Sequence, residues 1–194
     1  MDNSEKITQL LRHRLEKDRR MLELVKQISL ACDLISEALE GGRKLYALGN
    51  GGSAAQAEHL VTELMGRFKG LRNGLRAMAL TTNTSLLTAL ANDFGYSEVF
   101  SRQVDTLVEA GDIVIGFSTS GRSPNVLKAM DTARRKRALT MAFTGSAGEP
   151  LVSACHLGLC MPADDTPLIQ EMHQKVIHII CQVIDDQMSV NKRK

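Results

Sequence analysis

His59 and Glu63 stand four residues apart in the stretch GNGGSAAQAEHLVTELMGRF (residues 49–68), so on a helix their side chains share a face. Imidazole nitrogen and carboxylate oxygen both ligate divalent cations such as zinc, and the same two groups transfer protons. A His–Glu pair at this spacing can equally be a plain surface contact. Position is what sets this one apart, because it follows within a few turns of Gly49-Asn50-Gly51-Gly52-Ser53. Glycines let a backbone approach a ligand closely, and the amides at a helix start favour an anion.

A second small, polar loop, Ser118-Thr119-Ser120-Gly121-Arg122-Ser123, ends in Ser123-Pro124, an N-cap residue followed by a proline at the first helical position. Its hydroxyls and the charge of Arg122 suit a phosphate monoester. For the first loop three readings compete. A P-loop is excluded because no Gly-Lys-Ser/Thr follows the glycines. Gly49-x-Gly51-x-x-Ala54 fits a dinucleotide fingerprint, but the second strand ends in Leu80-Thr81-Thr82-Asn83 without the carboxylate that would hold a ribose. A capping box, Ser53-x-x-Gln56, explains Ser53 but gives Asn50 and three glycines no purpose. Of the later histidines, His173 lies in Gln170-Glu171-Met172-His173, and His178, between Ile177 and Ile179, reads on its own as a core residue.

These residues need elements to carry them. Apolar residues from Ile7 to Leu39 recur mostly at three or four, which predicts one long amphipathic helix, or two with a break near the polar patch 16–20, stopped by Gly41-Gly42. Short apolar runs at 44–48, 76–80, 113–117, 139–143 and 156–161 then alternate with helical patterns at 54–68, 85–91, 98–110, 124–135 and 167–188. Strands alternating with helices give β-α-β units. The expected fold is therefore α/β: a five-stranded parallel sheet flanked by helices in a Rossmann-like three-layer sandwich. An N-terminal helical extension, 1–42, precedes the domain, 43–194, the two forming a single structural unit. The last helix is apolar over too wide an arc for one wet face, and the first has little to cover. Together they point to a homo-oligomer.

Composition narrows the function. With 43% hydrophobic and 24% charged residues and a net charge of +2, the chain reads as an ordinary globular protein with no global pull toward nucleic acid or membrane. Aromatics at 4% leave little for base stacking. The basic stretches 11–20 and 134–137 read as solvated helix faces. Cys32, Cys155, Cys160 and Cys181 show no Cys-x-x-Cys spacing, and Cys155, His156 and Cys160 read as core residues rather than metal ligands. The start has no apolar signal core and no run is long enough to span a bilayer, so a cytoplasmic location is expected.

GNGGSAAQAEH, Ala91-Asn92-Asp93, STSGRS and IQEMHQKVIH, in that order, resemble the sugar isomerase (SIS) domain family, and within it the phosphoheptose isomerases, over residues 5–188. The resemblance implies isomerisation of sedoheptulose 7-phosphate to D-glycero-D-manno-heptose 7-phosphate through an enediol, for heptose precursors of lipopolysaccharide or a related glycan. It implies that Asn50, Gly51, Gly52, Ser53, Glu63, Asn92, Asp93 and Gln170 meet the substrate and that Ser118, Thr119, Ser120 and Ser123 hold the phosphate. One zinc ion per active site would be held by His59, Glu63, Gln170 and His178, with Glu63 and His178 as the acid–base pair. It further implies a homotetramer with active sites between subunits. Leu168, where relatives often carry arginine, and Arg122, at a variable position, leave room for a related sugar phosphate. The alternative is a non-catalytic phosphosugar-binding or replication-initiator-associating protein of the same fold. Gln170 and His178 lie eight residues apart, ~12 Å along a straight helix. One ion with ~2.0–2.2 Å bonds is therefore expected to take one of them from a neighbouring chain, unless the helix breaks between them.

Overall fold

The computed structural model describes residues 2–191; residue 1 and residues 192–194, at the outer ends of the expected extension and domain, lie outside the described residues. Five parallel strands, β1 (Leu45–Gly49), β2 (Ala77–Ala79), β3 (Ile113–Phe117), β4 (Leu139–Thr144) and β5 (Leu157–Cys160), form one sheet in the order β2-β1-β3-β4-β5. All five residues of β1 and of β3 are buried, as expected of strands covered on both faces. Side chains alternate between two cores. Leu45 and Ala47 face a core shared with helices α2 (Val25–Glu40), α3 (Gly52–Met65) and α7 (Thr166–Asn191). Tyr46 and Leu48 face the opposite core, built with α5 (Ser101–Leu107) and α6 (Pro124–Arg135) and edged by α4 (Thr84–Phe94). The strand order reverses between β1 and β3, and in open α/β sheets that switch point, at the carboxyl ends of the strands, is where ligands bind. Both small polar loops leave the sheet there, since Gly49 pairs with Phe117 in register.

Several bounds differ from the sequence expectation for physical reasons. The break in the N-terminal helices falls at a 3-10 turn, Met21–Leu24, just beyond the polar patch, after α1 (Asn3–Arg20). In a 3-10 turn residues three apart eclipse, and this brings Met21 and Leu24 together onto the core while Leu22 stays outside. α3 starts at Gly52 with Gly51 as its N-cap, so Ser53 lies inside the first turn and is buried. The Ser53–Gln56 capping box does not form, and the Gln56 side-chain oxygen is buried without a partner. The helix expected from residue 98 begins instead at Ser101, behind a 3-10 turn, Tyr96–Glu98.

α7 is mainly a core helix, with Met172, Val176, Ile177, Ile180 and Ile184 buried and Ile179 outside. α1 buries no residue, and Ile7, Leu10, Leu11 and Leu15 are exposed along it. It is tied to α7 by ion pairs, Arg14 with Glu171 at 2.8 Å and Asp18 with Lys175. Among the described residues no helix is long and apolar enough to cross a membrane.

Candidate active site

The glycine loop makes its turn at Gly51, whose φ of 55° and ψ of −122° are open to glycine alone. Gly52 matters for a different reason: a Cβ there would lie 2.5 Å from the Gln170 amide nitrogen, so its absence lets α7 press that side chain against the start of α3. Asn50, last in the loop before the turn, is held by two residues that the sequence did not single out. Its amide and that of buried Asn125 bond reciprocally at 2.9 and 2.8 Å, and the Tyr96 hydroxyl donates to Asn50 Oδ1 at 2.9 Å.

In the second loop the Ser118 and Ser123 hydroxyls lie 3.1 Å apart, and Arg122 N–H donates to Ser120 Oγ. Ser123 is the N-cap of α6, with Pro124 following, yet its hydroxyl makes no capping bond to the helix. It turns to Ser118 instead, so two hydroxyls and the helix start converge where an anion would be welcome. Asn92 and Asp93 sit exposed at the end of α4 and bond to each other at 2.8 Å, not to either loop.

His59, Glu63 and His178 come together within one chain, their ligand atoms all within 4.8 Å of one another. His59 Nε2 lies 3.3 Å from Glu63 Oε1 and 2.9 Å from His178 Nε2. Two imidazoles and a carboxylate are the donor types zinc prefers, and bonds of ~2.0–2.2 Å in a tetrahedron require donors ~3.3–3.6 Å apart. By donor type these three residues fit such an ion, the His59–Glu63 spacing already matching it and the two imidazoles needing to part by about half an ångström. α7 runs unbroken from Gln170 to His178, and Gln170 stays beside Gly52, away from the trio in its own chain. The amide of Gln174, one turn before His178 and unremarked in the sequence, lies 2.9 Å from His178 Nε2. Gln170, Gln174 and His178 thus form a polar stripe along α7 from the glycine loop to the trio.

The two late histidines separate cleanly. His173 is fully buried in T-shaped contact with Phe117 and Phe143, and its Nε2 faces the Thr144 carbonyl at 3.2 Å. Burial pushes its pKa down to about 4, so it is a neutral core residue. His178 is exposed and turned toward His59. It also borders a groove of about 700 Å³ between α2 and α7, walled by Met21, Leu22, Val25, Ile28, Ile179 and Val183.

Residues 6–145 match the SIS domain family. Phosphoheptose isomerase of Citrifermentans bemidjiense is 48% identical over 168 residues, covering 87% of this chain and 88% of that protein. The Geobacter metallireducens phosphoheptose isomerase is 45% identical over 183 residues, covering 94% and 97%. Among solved structures, the phosphoheptose isomerase from Francisella tularensis superposes with a TM-score of 0.91 at 30% identity, covering 96% of this chain and all of that one. The Neisseria gonorrhoeae enzyme superposes with a TM-score of 0.89 at 36% identity, covering 95% of this chain.

Proposed function

We infer the reaction from one premise: the chain belongs to the SIS domain family, and within it to the phosphoheptose isomerases. It is an isomerase acting on a heptose phosphate. The finer reading is that it converts sedoheptulose 7-phosphate to D-glycero-D-manno-heptose 7-phosphate through an enediol, feeding synthesis of a heptose-containing glycan. The convergence of His59, Glu63 and His178, on the helix that starts at the glycine loop and on α7, carries that reading.

The ketose phosphate enters at the switch point of the sheet. Ser118, Thr119, Ser120 and Ser123 take the phosphate, where the uncommitted N-cap hydroxyl of Ser123 and the start of α6 favour charge. Asn50, its amide fixed by Asn125 and Tyr96, meets the sugar hydroxyls together with Gly51, Gly52, Ser53, Asn92, Asp93 and Gln170. Anchoring the phosphate far from C1 and C2 positions the reacting carbons at the trio. Glu63 removes a proton from C1, leaving the enediol. His178 moves the proton between the C1 and C2 oxygens, and Glu63 returns its proton to C2 to give the aldose. His59, Glu63 and His178 would hold a zinc ion, which when bound would supply polarisation of the substrate carbonyl and stabilisation of developing negative charge.

The remaining expected ligand, Gln170, reaches an ion only from a neighbouring subunit, since within its own chain it lies against Gly52. That requirement, the exposed apolar residues of α1 and the apolar groove beside His178 support an oligomer with active sites between subunits, which we propose to be a homotetramer working in the cytoplasm. The test is turnover of sedoheptulose 7-phosphate by wild type, with and without zinc, and by Glu63→Gln. The variant should bind substrate and turn over at least about 100-fold more slowly. Wild-type turnover in Glu63→Gln would remove Glu63 as the base. No turnover by the wild type under either condition would favour a phosphosugar-binding role.

A further inference from the structure

We propose that Arg72 and Asp185 act as one positioning clamp that sets the spacing between Glu63 and His178. The proposal rests on the roles just given to those two residues. Arg72 lies in the irregular stretch between α3 and β2, and Asp185 lies on α7, seven residues beyond His178 and so on nearly the same side of that helix. The Arg72 guanidinium reaches both helices. Its Nε donates to Asp185 Oδ1 at 2.6 Å, while Nη2 and Nη1 donate to the backbone carbonyls of Glu63 and Leu64, each at 2.7 Å. Asp185 Oδ2 accepts the backbone N–H groups of Lys69 and Gly70 at 2.9 and 3.0 Å. Both side chains are almost wholly buried, 5% and 3% exposed. Burial alone would raise the Asp185 carboxyl, but the Lys69 N–H, the guanidinium and the Gly70 N–H outweigh it and hold the carboxyl below its ordinary value.

The clamp therefore grips α3 by the carbonyl of the base itself and α7 by a carboxylate two turns from the acid. Fastening the stretch 66–75 to the core needs no such device. A buried ion pair loses much of its Coulombic gain to desolvation, and apolar pairs of similar volume often serve stability as well. An apolar pair cannot reproduce direction. The planar fork fixes where two carbonyls in the last turn of α3 sit, and its charge suits the negative end of that helix. Residues that orient the groups around a metal in this way typically change affinity or activity by 10–100-fold when removed.

The experiment uses the full chain as Arg72→Met, Asp185→Leu, the double variant and Arg72→Lys, each assayed for kcat and KM and titrated with Co2+. Either single apolar variant should melt lower, because it leaves one charge buried and unpaired. The double variant should melt above either single variant, though below wild type because four backbone groups lose their partners, while kcat stays down by about 10–100-fold, with KM within about twofold. Its Co2+ absorption bands should shift, and its Co2+ affinity should fall by about 10–100-fold. Arg72→Lys keeps the charge for Asp185 but lacks the fork; it should show the same loss of kcat, and it decides the matter if the double variant does not fold. Wild-type kcat, spectrum and Co2+ affinity in the double variant, or wild-type kcat in Arg72→Lys, would overturn the clamp. The Co2+ spectra and affinities decide it even if the wild type turns over no phosphoheptose. A wild type that takes up no Co2+ overturns the clamp together with the metal reading.

Discussion

Gly52→Ala is a substitution that should leave the fold intact and damage the site. Gly52 is the first residue of α3, and its backbone is not in the left-handed region, so alanine is sterically allowed there. Restricting the unfolded chain should stabilise the protein by roughly 0.4–1 kcal/mol. The new methyl, however, would lie 2.5, 2.6 and 2.8 Å from Nε2, Oε1 and Cδ of Gln170, against an ordinary contact of at least 3.4 Å. The far end of that side chain must then move by about 1 Å, a misplacement that in an active site can cost about 100-fold in rate. Urea denaturation and steady-state kinetics on sedoheptulose 7-phosphate check both halves. The expected pattern is unchanged or slightly raised stability with kcat/KM lowered about 10–100-fold. Because the damage runs through one side chain, Gly52→Ala in a Gln170→Ala background should add little further loss. Wild-type kcat/KM would show that the position of Gln170 does not matter. A stability loss well beyond about 1 kcal/mol would show that the backbone, not Gln170, gave way.

Two further outcomes follow from the fold. Arg137 is exposed just past the end of α6 with φ of 61°, where an L side chain is strained, so Arg137→Gly should stabilise by about 1 kcal/mol and raise the melting temperature by about 2–4 °C; an unchanged or lower melting temperature would refute the strain. His173 has a folded pKa depressed to about 4, below its unfolded value, so the unfolded chain binds more protons between those values. Its contribution is complete above the unfolded pKa of about 6.5 and is lost as pH falls toward about 4, by on the order of 3 kcal/mol. His173→Leu should flatten the urea-midpoint profile across that window, and an unchanged slope would exclude His173 as its source.

The two polar loops and the pair His59 and Glu63 are legible in the sequence because glycine, hydroxyl and i,i+4 signals are local. β3 and α6 match their expected bounds for the same reason: an unbroken apolar run, and a Ser-Pro start with basic residues in the last turn. What the sequence conceals is decided by tertiary packing. His178 looks like a core histidine between two isoleucines, yet it is His173 that the sheet buries, because the rotation of α7 against β3 and β4 is not written in either neighbourhood. The Ser53–Gln56 box fails because the positive φ of Gly51 starts the helix early enough to put Ser53 inside its first turn. Asn125 and Arg72 act across separations of 75 and 113 residues, with Asn50 and Asp185 respectively. No periodicity or motif pairs such positions. The apolar side of α1 has nothing to cover within one domain, and in the single chain it is uncovered.

In the proposed reaction Glu63 carries one proton between C1 and C2 of a ketoheptose phosphate. NMR of the zinc-loaded protein acting on sedoheptulose 7-phosphate in D2O tests it most directly. The expected result is an aldoheptose phosphate formed by the wild type and not by Glu63→Gln, its C2 carrying the hydrogen that left C1 except where protonated Glu63 exchanges with solvent deuterium before returning it. An aldose formed at the wild-type rate by Glu63→Gln, or no aldose from the wild type, would contradict it.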